Sequence, residues 1–148
     1  MSSKPWLAAM LAAGLLSACM TSPESRAVVN IPLKATQQNA GRIAQVSLYP
    51  QGEATGMSFV IGGVPQGVTR PVRLYTFVYP GSCEHLGAAP AYEMNQTVVT
   101  QPLTRRQGWT LSKSAPVALS ELRAGDYAIV VRTSPANGSI DIFCGDIH

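Results

Sequence analysis

From Arg42 onward, apolar and polar residues alternate in short runs separated by Gly, Pro, Asn and Ser, and no long stretch repeats its apolar positions at helical spacing. Period-two runs bounded by turn residues predict strands, and a chain made of them predicts an all-β domain. The runs are Ile43 to Tyr49, Met57 to Ile61, Val72 to Tyr79, Gln96 to Thr100, Trp109 to Ser112, Val117 to Leu119, Tyr127 to Thr133 and Ile140 to Cys144. Eight such strands make a sandwich or a barrel. Val72, Leu74, Thr76 and Val78 share one face of their run, and Arg73, Tyr75, Phe77 and Tyr79 share the other, because strand side chains alternate. With both faces substantially apolar, this run reads as a central strand. Tyr127, Ile129 and Val131 oppose Ala128, Val130 and Arg132 in the same way, and Asn137-Gly138 then turns the chain into the last strand. Ser120 to Arg123 reads as one helical turn with Ser120 as its N-cap.

The amino-terminal pattern is different. Lys4 is followed by an apolar stretch from Trp6 to Leu16 and by small residues before Cys19, which is how a signal peptide is written and is too short for a spanning helix. Leu16-Ser17-Ala18-Cys19 resembles the lipobox of bacterial lipoproteins at all four positions. The resemblance implies cleavage before Cys19, acylation of it, and attachment to a lipid bilayer. Met20 is not the aspartate that resembles an inner-membrane retention signal, so the expected anchor is the outer membrane, facing the periplasm. The expected organisation is a signal peptide over 1–18, an acylated cysteine and tether over 19–41 with an edge strand at 27–34, and a β-domain over 42–148. Ser, Thr, Gln, Asn and Ala between Met20 and Asn39 suit a tether.

Three cysteines are present. With Cys19 acylated, Cys83 and Cys144 remain for each other, and a bond between them would tie the loop after a central strand to the last strand. A redox-active pair is the alternative, although Cys-x-x-Cys spacing is absent. The formal charge is +3, one unit less without Lys4, and the basic residues are scattered, which argues against nucleic acid as a partner. Arg105-Arg106, beside Gly108 and Trp109, reads as a solvated turn, with contact to lipid headgroups or a protein as the alternative.

Four stretches resemble the copper/zinc superoxide dismutases in order and spacing. Arg73-Leu74-Tyr75-Thr76-Phe77-Val78-Tyr79-Pro80-Gly81 is similar to the strand bearing Phe-His-Val-His-Glu-Phe-Gly, and Cys83 follows as that family's loop cysteine does. Ala89-Pro90-Ala91-Tyr92 resembles Gly-Pro-His-Phe, Val130-Val131-Arg132-Thr133 resembles Val-Val-His-Glu, and Phe143-Cys144-Gly145-Asp146-Ile147 resembles Ala-Cys-Gly-Val-Ile. The resemblance implies an eight-stranded Greek-key sandwich with a disulfide, matching the independent strand count. It also implies that the metal ligands are gone. The positions of the copper and zinc imidazoles fall on residues from Tyr75 to Phe77, on Ala91 and on Arg132, and the arginine that guides superoxide falls on Asp141. Dismutase chemistry needs copper held by imidazoles, so the expectation is a protein that is not an enzyme and holds no cofactor.

The two histidines, His85 and His148, stand near Cys83 and Cys144 in sequence, so a disulfide there could bring them into one neighbourhood for a weak metal site. Tyr75, Phe77, Tyr79 and Arg132 are the candidate partner surface; Tyr92 and Trp109 complete an aromatic set that either lines a groove or fills the core. No nucleophile-elbow or phosphate-loop motif is present. The expected function is a non-catalytic, lipid-anchored envelope protein with a binding or structural role and an unidentified protein partner. Two other readings stay open: a periplasmic copper-binding protein related to the dismutases, and an assembly lipoprotein of a secretion machine.

Overall fold

The computed structural model describes residues 27–148. The leader and Cys19 lie outside the described residues. Within them the chain is all-β, with nine antiparallel strands in one sheet that curls into a half-barrel and a disulfide between Cys83 and Cys144. The strands are β1 (Val29–Ala35), β2 (Ala44–Gln51), β3 (Ala54–Ile61), β4 (Leu74–Pro80), β5 (Tyr92–Glu93), β6 (Gln101–Pro102), β7 (Trp109–Ala115), β8 (Tyr127–Thr133) and β9 (Asp141–Ile147), with a short helix α1 (Leu119–Ala124) between β7 and β8. Their spatial order is β5-β4-β8-β9-β1-β2-β3-β7-β6. Neighbours in sequence therefore part company three times, at β3 to β4, at β5 to β6 and at β7 to β8, where the chain crosses between the two halves of the sheet.

Alternation decides which side chains face the hollow. Val46 and Leu48 of β2, Met57, Phe59 and Ile61 of β3, Leu74 and Val78 of β4, and Ile129 and Val131 of β8 are completely or almost completely buried in one apolar cluster. A buried core of this kind is the main favourable term in folding. Strands β4 and β8 are apolar on both faces, as their patterns predict, because a second, smaller cluster covers their outer side.

Several elements differ from expectation. The segment expected as an edge strand at 27–34 is β1, an interior strand paired with β2 from Val29 to Leu33 and with β9 at Lys34 and Ala35. Pro32 argues for an edge, since it lacks an N–H for the ladder. It is tolerated because the ladder to β9 covers only Lys34 and Ala35. Val117 to Leu119 is not a strand: Leu119 opens α1, and its cap is Ala118 rather than Ser120, with no side-chain capping bond. Burial of Leu119 and Leu122 in the main core holds this helix, and the buried Thr55 hydroxyl donates to the Val117 carbonyl at 2.8 Å just before it. The run Gln96 to Thr100 forms no full strand. Its backbone instead meets the chain around the start of β4, through Leu74 N–H to Val98 O at 2.9 Å and Thr100 N–H to Val72 O at 3.2 Å.

That segment lies where the sheet leaves a seam between its two ends. On the β7 side the seam is crossed by Lys113, whose ammonium donates to the Thr97 carbonyl. Lys113 pairs in register with Met57 and so points into the hollow among apolar neighbours. Burial pushes its pKa down to about 8.

The β8–β9 connection contains the expected turn. Residues Pro135–Asn137 make a 3-10 turn and Gly138 follows at φ +88°, a left-handed conformation that glycine adopts without steric cost. Between β8 and β9 the register shifts: Val131 pairs with Phe143, whereas Arg132 pairs with Asp141, leaving Ile142 as the extra residue of a β-bulge. Ile142 and Phe143 are consecutive yet both fully buried. A bulge re-aims the flanking side chains, and here it sets Asp141 beside Arg132.

Candidate functional site

The outer face of β4, β8 and β9 carries the residues singled out by sequence. Register places Tyr75 opposite Arg132, Phe77 opposite Val130, and Val130 opposite Cys144. Because paired residues share a face, Tyr75, Phe77, Tyr79, Val130, Arg132 and Cys144 stand together, with Leu86 of the following loop packed on them.

Arg132 is held from three directions. Its Nε donates to Asp141 Oδ1 at 2.6 Å, its Nη2 donates to the Tyr79 hydroxyl at 2.9 Å, and its guanidinium carbon lies 4.4 Å from the Phe77 ring centre and 5.7 Å from that of Tyr79. Burial works against the guanidinium charge, but the hydrogen bonds and charge of Asp141, with the bond to Tyr79, outweigh it and raise its pKa above the usual arginine value. The group is a permanent, immobilised cation stacked on aromatic faces. Replacing Arg132 with Met keeps the stem but removes the stacked charge and both hydrogen bonds, and is expected to lower stability by about 1–2 kcal/mol in chemical denaturation. Arg132→Lys is expected to recover only part of that, since an ammonium cannot reach Asp141 and Tyr79 as a planar fork.

Phe77 and Tyr79 are 7% and 9% exposed, so of the four residues Tyr75 and Arg132 are the more accessible. The wider aromatic set divides: Trp109 and Tyr92 belong to the main core and do not join Tyr75, Phe77 and Tyr79. Tyr92 is partly buried against that core, and Trp109, buried in it, also borders a cleft at another corner of the sheet.

The disulfide closes this face from the side of the loop. Cys83 and Cys144 have Cα atoms 5.8 Å apart, within the usual range for a bridge. The loop from Gly81 to Gly87 folds back on itself, with Gly87 N–H donating to Pro80 O at 2.7 Å. Gly81 sits at φ +97° against the His85 carbonyl, where a Cβ would approach to 2.2 Å, so only glycine fits. The Cys83 N–H donates to Asp146 Oδ1 at 2.8 Å, a second tie between loop and β9.

His85 and His148 do line one depression of about 270 Å³, together with Asp126 and Asp146. Among the described residues no three His, Cys, Asp or Glu side chains converge as a metal site. The two histidines thus share one neighbourhood next to the bridged segments.

A feature that the sequence did not single out lies at another corner of the sheet. Arg42, Arg70 and Arg106 line a cleft of about 500 Å³ with the loop from Gly62 to Val68 and the turn from Leu103 to Gly108, and among the described residues no carboxylate lines it. The three arginines come from three separate connections, far apart in the chain. Only the Arg105-Arg106 pair near Trp109 gave any local signal.

Comparison of the chain with protein-family models, with curated proteins and with solved structures finds no match.

Proposed function

We propose that the protein is a non-catalytic lipoprotein of the cell envelope, anchored through acylated Cys19, whose domain is a superoxide dismutase-like β-sandwich stripped of its metal centre and used for binding or as a structural part. The observation that carries this reading is the state of Arg132. It occupies the position that resembles the last copper ligand, directly opposite Tyr75 in register, and it is locked by Asp141, Tyr79 and the face of Phe77. A fixed guanidinium repels a copper ion and offers it no lone pair, whereas imidazoles attract it. The disulfide between the cysteines that resemble the family's pair supports the same reading, since such bonds persist in oxidising compartments. The leader supports the anchor and its outer-membrane, periplasm-facing placement.

Two measurements test it. Cys19→Ala is expected to move the protein from the membrane fraction to the soluble fraction and to remove the acyl mass; an unchanged distribution and mass would defeat the anchor. Elemental analysis of the protein after incubation with copper and zinc and long dialysis is expected to show no retained metal. About one copper per chain would instead favour metal handling, with His85 and His148 as the residues to replace next.

A further inference from the structure

The arginine cleft has the chemistry of a ligand site, and it stands independently of the Cys19 anchor and of any kinship with dismutases. Each arginine is positioned by packing. The stem of Arg42 lies against Gly63, where a Cβ would come within 2.5 Å of Arg42 Cδ, so glycine at 63 is what lets the side chain lie down. The guanidinium of Arg70 lies 5.4 Å from the Trp109 ring centre. Arg106 rides on a turn closed by Leu103 N–H donating to Gly108 O at 2.9 Å. That turn is seated by Gly108 at φ +133°, against the Ile61 carbonyl. Among the described residues the ion pair present is Arg132 with Asp141, and none of the three cleft arginines has a carboxylate partner. Three like charges around one concavity repel each other, and an anion placed between them is the natural counter-charge.

The cleft continues into a second groove of about 480 Å³, and the two share Gly62, Leu103, Arg106 and Gln107. This groove is apolar in character, with Ile43 and Val60 on it, and these are exposed by 77% and 38%. Ile43, immediately before β2, is left largely open beside a cluster of cations. It adds apolar surface next to the charge, and the pair of features is what an amphipathic ligand needs.

The geometry points to an anionic amphiphile as the occupant: a phosphate or carboxylate head held by Arg42, Arg70 and Arg106, with an alkyl chain laid along Ile43 and Val60. Guanidinium groups bind such heads through paired, charge-assisted hydrogen bonds. The apolar tail contributes by burial, in proportion to its covered area.

The test is calorimetric titration of the full chain with dodecyl phosphate below its micelle concentration, with inorganic phosphate, and with dodecyl maltoside as the uncharged chain. Dodecyl phosphate is expected to bind at least about tenfold more tightly than either of the others, because only it satisfies both halves of the site. The double variant Arg70→Gln/Arg106→Gln is expected to weaken it by about tenfold or more, and Ile43→Ser by roughly threefold, while dodecyl maltoside binding stays unchanged in the arginine variant. Arg123→Gln, on α1 and away from the cleft, controls for net charge and is expected to have no effect. Any contribution of the leader is common to all variants and cancels. Equal binding of inorganic phosphate and dodecyl phosphate would overturn the amphiphile in favour of a simple anion. Dodecyl phosphate binding that is unaltered in the arginine variant, or matched by dodecyl maltoside, would overturn the site altogether.

Discussion

Cys83→Ser, Cys144→Ser and reduction of the wild-type protein are each expected to lower the unfolding free energy by about 4 kcal/mol, and to the same extent. The bridge joins residues 61 apart in sequence. Closing a loop of that length in the unfolded chain removes much of its conformational freedom, and the entropy model converts this to the quoted figure. The effect has a local part too. Cys144 packs on the outer cluster with Phe77, Tyr79 and Val130, and Cys83 fixes the loop that places Leu86 over it. Without the bridge, the Cys83 N–H bond to Asp146 and the short return from Gly87 to Pro80 are left to hold that loop. Loss of about 4 kcal/mol is a large share of the stability of a domain this size. The check is denaturant unfolding of oxidised and reduced protein and of both single variants and the double variant. Because one bond is lost in every case, the double variant should match the singles. Additive losses, or a reduced protein as stable as the oxidised one, would show that the bridge is not what holds the loop.

Unfolding free energy is expected to rise by roughly 2 kcal/mol between pH 8 and pH 10.5, and this rise should vanish in Lys113→Met. Lys113 has its pKa lowered to about 8 in the fold, from an ordinary value of 10.5, by burial of its ammonium. Below pH 8 the folded and unfolded chains both carry the proton, and the folded state bears the full cost of a desolvated charge. Between pH 8 and 10.5 the folded chain has released the proton while the unfolded chain keeps it, so stability increases with pH. Above 10.5 both are neutral and the gain is complete. The full shift corresponds to somewhat more than the quoted figure, reduced for solvent that still reaches the ammonium at the seam. Methionine preserves the unbranched apolar stem beside Met57 and cannot titrate. Other lysines and the tyrosines also ionise in this range, so the readout is the difference between wild type and variant across the pH series. Parallel curves would mean that Lys113 is hydrated in solution and that its bond to Thr97 does not bury it.

The two effects act on two different connections. A half-barrel has two free ends, and each device fixes irregular chain that the strand ladders do not hold. The disulfide clips the loop after β4 onto β9 across β8, and Lys113 links β7 to the segment running beside the start of β4. The first is insensitive to pH and sensitive to reductant; the second is the reverse.

Local pattern determined a good deal. Period-two alternation identified β2, β3, β4, β7, β8 and β9 because burying one face of a strand forces it, and the doubly apolar runs of β4 and β8 marked them as covered on both sides. Asn137-Gly138 marked the last turn for a steric reason, and the count of cysteines paired Cys83 with Cys144. Alternation tells which face a residue takes, but not which strand lies beside it. Hence the interior position of β1 between β2 and β9, which the pattern of Val29, Ile31 and Leu33 shares with any edge strand, came only from the tertiary pairing. The bulge at Ile142 is likewise invisible locally, since nothing in Ile140-Asp141-Ile142-Phe143 says which residue is extra; the demand to bury Ile142 and Phe143 together decides it, and so brings Asp141 to Arg132. Lys113 reads as a solvent-facing residue by its chemistry, yet register with Met57 turns it inward. Arg42 and Arg70 were legible only as scattered charges and Arg106 only as half of a basic pair, because charge acts across space, and the loops that bring them around one cleft are ordered by strand pairings far from each of them in the chain.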